Sequence, residues 1–62
     1  MKYRDARLLK QGDQIIRKSD QVKLTIESIV LVGQYKEAIF TCIDLNGKKI
    51  ELYNHEVELV TD

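Results

Sequence analysis

The 62-residue sequence predicts a small all-β fold, and three observations carry that expectation. Asn46-Gly47 sits between two runs of alternating apolar residues, at positions 39–45 and 48–53. Asn-Gly in that setting is the strongest short-range hairpin signal, because both residues of the tightest loop take φ > 0. Val22, Leu24 and Ile26 alternate with Lys23, Thr25 and Glu27, the period-two mark of a half-buried strand. Turn-forming stretches between such runs leave about five short strands, at the spacing of a sandwich or barrel.

Taken in order, Arg4, Asp5, Ala6, Arg7, Leu8, Leu9 and Lys10 are too few for periodicity to separate a helical turn from a short strand, or either from a loosely ordered arm. Gln11-Gly12-Asp13 is a turn, with Gly12 for a backbone position other residues avoid and Asp13 bonding its own neighbours. Gln14-Ile15-Ile16-Arg17 reads as the first strand and Lys18-Ser19-Asp20-Gln21 as a polar turn. After the strand that starts at Val22 the apolar phase slips near Ser28, from even positions to Ile29 and Leu31, with Val30 and Val32 on the other face. Such a slip implies a bulge or sharp bend, as a sheet that curls over requires.

Residues 33–37 form the next turn and lead into the Asn46-Gly47 hairpin. A two-residue loop there places Ile43 opposite Ile50 and Thr41 opposite Leu52 on one face. On the other it places Asp44 opposite Lys49, Cys42 opposite Glu51 and Phe40 opposite Tyr53. Both faces carry apolar residues, so which one is the core stays open. Asn54 is a candidate cap for a single helical turn, and residues 57–60 read as the last strand, with Val57 and Leu59 on one face. A short strand, a long bent strand, a hairpin, one helical turn and a terminal strand together make the plan of a small SH3-like barrel.

Composition bounds the rest. The chain is expected to be one domain over residues 1–62. A domain this short buries only about 60% of its unfolded surface and commonly leans on a disulfide, a metal or a partner. Cys42 is the single cysteine, which excludes an internal disulfide and a cysteine-based zinc site. It is expected to be a buried apolar side chain, and a lone thiol suits a reducing compartment. The longest apolar run, Ile29-Val30-Leu31-Val32, is far short of the ~20 residues of a membrane helix. The first seven residues lack the apolar core of a signal peptide. A cytoplasmic protein with no membrane partner is the expectation.

Ten basic residues balance ten acidic ones, unevenly placed. Lys2, Arg4, Arg7, Lys10, Arg17, Lys18 and Lys23 outnumber the three acidic residues of positions 1–23, and the remainder of the chain reverses that excess. Zero net charge argues against a dedicated nucleic-acid binder, while leaving room for a local basic face. It also removes the self-repulsion that keeps small domains apart.

Leu9-Lys10-Gln11-Gly12-Asp13-Gln14-Ile15 resembles the opening motif of many short bacterial SH3-like proteins. Leu24-Thr25-Ile26, Ile29, Cys42, Asn46-Gly47, Tyr53 and Leu59 follow in an order similar to the uncharacterised YodC-like family. The resemblance runs from about Leu9 to Val60. Asp44 stands where that family has Trp, and Lys18-Ser19-Asp20-Gln21 replaces its Gly-Gly-Pro turn. The resemblance implies a fold and brings no activity or functional residues with it.

No catalytic constellation stands out. His55, the single histidine, lies between Asn54 and Glu56 in a turn, and Cys42 lies mid-strand, so no nucleophile–base pair is expected. Three isolated glycines make no phosphate loop, and His55 with Glu56 falls short of a metal-ligand set. No catalytic, cofactor or metal site is therefore expected. The candidate binding surface is Lys2, Tyr3, Arg4, Arg7, Lys10, Arg17 and Lys18, joined by Tyr35 and Tyr53 as groove aromatics together with Phe40. A non-catalytic module that binds a protein partner or assembles as a homo-oligomer is the expected function. Nucleic-acid binding through the basic N-terminal third is the less favoured alternative.

Overall fold

Residues 1–60 are described by a computed structural model; Asp62, counted among the acidic residues, lies outside them. The chain forms α1 (Tyr3–Ala6), β1 (Gln14–Arg17), β2 (Val22–Val32), β3 (Glu37–Ile43), β4 (Lys49–Tyr53), a 3-10 turn (Asn54–Glu56) and β5 (Val57–Leu59). The strands make one antiparallel sheet in the order β4-β3-β2-β1-β5. Successive hairpins join β1 to β4, and the 3-10 turn then carries the chain from one edge of the sheet to the other. The fold is all-β, five short antiparallel strands with a single helical turn before the last.

β2 is the strand that bends. It pairs with β1 from Val22 to Thr25 and with β3 from Thr25 to Val32. Between the pairs Ile26–Cys42 and Ser28–Thr41 it holds one extra residue, Glu27. That bulge sits at the phase slip seen in the sequence and explains it. Leu24 and Ile26 before it, and Ile29 after it, all turn toward the core.

The core is Ala6, Ile15, Leu24, Ile26, Ala38, Phe40, Cys42, Leu52 and Val57, so each strand and α1 contribute to it. Met1, Leu9, Val22, Ile29 and Ile50 pack around its rim. Of the alternatives open for the first ten residues, a helical turn is the one taken, over Tyr3–Ala6. Leu9 packs inward while Leu8 is 82% exposed.

The hairpin corrects the expected register by one residue. Gly47 N donates to Asp44 O at 3.0 Å, and Asp44 N donates to Lys48 O at 3.0 Å, so the loop has three residues rather than two. Gly47 takes φ +79°, whereas Asn46 does not enter the positive-φ region. Asp44 Oδ1 accepts from the amides of Asn46 and Lys48, each at 2.9 Å, and holds this tip. Phe40 therefore faces Leu52 rather than Tyr53, Cys42 faces Ile50 rather than Glu51, and Lys49 faces Ile43 rather than Asp44. The one-residue shift puts Phe40, Cys42, Leu52 and Ile50 on one side of the ribbon, and that side is the core. The expected Asp44–Lys49 pair is replaced by Lys49 Nζ with Glu27 at 3.1 Å.

Candidate functional site

The candidate residues fall into three places on the surface. The first is a cleft of about 310 Å³ between the β1–β2 turn and the 3-10 turn, lined by Arg17, Lys18, Ser19, His55 and Glu56. Lys18 N donates to Glu56 O at 3.0 Å, which holds the two turns together. Arg17 is bound locally: its Nε and Nη2 donate to the two carboxylate oxygens of Asp20 at 3.0 and 2.6 Å. That fork raises the Arg17 pKa and lowers that of Asp20, which also accepts from Val22 N. The Glu56 carboxylate accepts from Tyr53 N at 3.0 Å. The His55 ring lies 5.7 Å from that of Tyr53 at 47°, so Tyr53 reaches the cleft through His55.

Beside the cleft lies a clasp built around Asn54, the one buried polar residue among those described. Its Oδ1 accepts from Ala38 N at 3.2 Å, and its Nδ2 donates to Met1 O at 3.2 Å. The Met1 ammonium donates to Asn54 O at 2.9 Å and Val57 O at 3.0 Å. The expected cap role of Asn54 does not hold. Asn54 is the first residue of the 3-10 turn rather than its cap, and its side chain serves β3 and the N-terminus. Burial, then the nearby Lys18 charge, lowers the pKa of the Met1 amine, with Glu58 and Asp5 opposing. Met1 and Lys18 thus bring two cationic groups to one side of the cleft.

The second place is the outer face of β2, β3 and β4. The pairings Val30–Ile39 and Ile39–Tyr53 put these three side chains in one row across three strands. Val30 is 55% and Tyr53 39% exposed, so the row is an apolar surface rather than a core layer. Phe40, grouped with the groove aromatics on sequence, is instead fully buried on the opposite face.

The third place is the β2–β3 turn. Lys36 Nζ stands 5.6 Å above the Tyr3 ring, and a side chain at Gly33 would meet the Tyr3 hydroxyl at 3.6 Å. Tyr3 therefore docks α1 onto this turn, beside the exposed Tyr35. Lys2, Arg4, Arg7 and Lys10 are exposed along and after α1. The Lys10 amide donates to Asp13 Oδ2 at 3.0 Å, the local turn role expected for Asp13. Arg17 and Lys18 are brought together, Tyr53 joins them through His55, and Tyr3 and Tyr35 lie at another turn.

Cys42 is fully buried against Ile50, and burial pushes its thiol up to about 11. It stays a protonated thiol through the neutral range.

Sequence reasoning missed the clasp, because its members are far apart in the chain and no local pattern connects residues 1, 38 and 54. The bulge at Glu27, by contrast, left its signal in the apolar phase. Compared with family models, characterised proteins and solved structures, the chain matches none.

Proposed function

We propose that this chain is a non-catalytic protein-binding module of SH3-like plan, working in a bacterial cytoplasm. The observation that carries this reading is the apolar row Val30–Ile39–Tyr53, exposed at Val30 and Tyr53 and half-buried at Ile39, with Leu31 and Tyr35 also exposed. A row of aliphatic and aromatic side chains on a rigid sheet face suits protein contact better than solvent. The zero net charge supports association rather than repulsion, and the likeness of the Gly12-Asp13 and Cys42 motifs to YodC-like proteins fits a small barrel of this kind. The Cys42 thiol, expected to be a buried apolar side chain, is a core residue.

The test is capture of a protein partner by the wild-type chain and by Val30→Asp and Tyr53→Asp variants that keep their circular dichroism. The reading expects the association to fall at least about tenfold in both variants. Association unchanged by both, or no association by the wild type, would sink it.

A second reading, nucleic-acid binding, is favoured by the cleft that Arg17 and Lys18 line, with the Met1 ammonium close enough to feel the Lys18 charge. Oligonucleotide titration at two salt concentrations tests it. Binding that weakens steeply with salt and is reduced by Lys18→Glu supports it, and salt-independent binding or none rejects it.

A further inference from the structure

The two outermost strands of the sheet, β4 and β5, expose backbone edges. Asp44 N donates to Lys48 O, which fixes the alternation of the β3–β4 ladder. Cys42–Ile50 and Phe40–Leu52 are then the pairs that bond inward, and the N–H and C=O groups of Lys49, Glu51 and Tyr53 point outward. The Tyr53 amide is already taken by Glu56. Among the described residues, no other strand borders β4 on that side.

Resting on the protein-binding reading above, we infer that the open edge of β4 pairs antiparallel with β4 of a second copy of this chain, across a two-fold axis at Ile50. Charge selects the copy and the register. Two identical strands can match their outward-facing groups in only a few registers. Centring on Lys49 sets Lys49 against Lys49, and centring on Glu51 sets Glu51 against Glu51; like charges directly opposite are destabilising. Centring on Leu52 needs the Tyr53 amide, which Glu56 occupies. Centring on Ile50 sets Lys49 of each copy against Glu51 of the other, with Ile50 against Ile50 on the half-buried face. The strand is complementary to itself in that register.

Lys49 can supply the contact at little cost. Its pair with Glu27 in the single chain is solvent-exposed, the Lys49 side chain being 67% accessible, and exposed pairs contribute little. Joining the copies makes a continuous sheet and satisfies the outward N–H and C=O groups of Lys49 and Glu51 on both.

Sedimentation equilibrium of the full chain, from micromolar to about millimolar concentration, tests the inference. The wild type dimerises. Glu51→Lys sets lysine against lysine, Lys49→Glu sets glutamate against glutamate, and each variant alone loses at least about tenfold in dimer affinity. An equimolar mixture of the two variants restores every opposite-charge pair and recovers a heterodimer, as does the double variant K49E/E51K as a homodimer. Recovery in the mixture separates lost pairing from lost folding. A wild type that stays monomeric, a dimer indifferent to both reversals, or a mixture that recovers nothing would each overturn the inference. A monomer whose capture of another protein still depends on Val30 and Tyr53 would overturn this dimer and leave the binding-module reading in place.

Discussion

The sheet ends in two outer strands, and they are finished in opposite ways. At β5 the Met1 ammonium covers Val57 O, and Asn54 fastens the same terminus to β3. At β4 the outward amide of Tyr53 is closed by Glu56, and the outward groups of Lys49 and Glu51 lie beside their own charged side chains. At one edge a backbone carbonyl is covered by the chain's own N-terminus, and at the other a backbone amide is covered by a side-chain carboxylate. Exposed strand edges invite pairing, and charged residues on them decide which pairing is allowed. The difference teaches that two edges of one small sheet can be finished by different means, a charged terminus at β5 and a turn carboxylate at β4.

The largest test of that contrast is at the clasp beside β5. Asn54→Leu leaves Ala38 N without its partner in the interior and removes the bond to Met1 O, while the Met1 ammonium keeps its backbone acceptors, and the expected loss is about 2–3 kcal/mol of unfolding free energy in urea titration. A loss under about 1 kcal/mol would mean the clasp is ornamental to stability.

Cys42 reports from beneath the open edge, since β4 covers it through Ile50. Its thiol pKa is raised from 9.0 to about 11, so its contribution to stability is present in full below pH 9 and is lost as the pH rises through 11. The loss expected across that window is about 2–3 kcal/mol, absent in Cys42→Ala. A thiol that titrates near 9 in the folded chain would show that β4 frays and does not seal the core.

The smallest effect is at the loop end of β4. Asp44→Ala removes the acceptor for the Asn46 and Lys48 amides, and about 1 kcal/mol of stability should go with it. Retention of wild-type denaturation midpoint would place the register of β4 under the control of packing rather than of the turn.

The sequence announced most of this sheet. β1 and the turn after it were readable residue by residue, and the change of apolar phase at Ser28 pointed to the bulge one residue away. The hairpin was harder because Asn-Gly serves two loop geometries. Asp44 in the first position of a turn and Gly47 in the fourth are the signs of a type I turn closed by a glycine bulge, and they favour the three-residue loop that forms. The two-residue loop that the dipeptide alone implies would move every cross-strand partner by one. Among the binding candidates, Tyr53 proved to be surface and Phe40 core for the same reason. Which cations meet in the cleft depended on the 3-10 turn folding back onto Lys18, a contact between residues 18 and 56 that no local pattern encodes.

The clasp also bears on the order of assembly. β1 to β4 are joined by three hairpins whose ends lie near each other along the chain, so each can close at modest entropic cost. The bonds between Met1 and Asn54 span 53 positions, and they gain nothing until β1, β3 and the 3-10 turn are already in place. Kinetically the N-terminus is expected to act as a latch, thrown last on folding and first to lift when the domain opens.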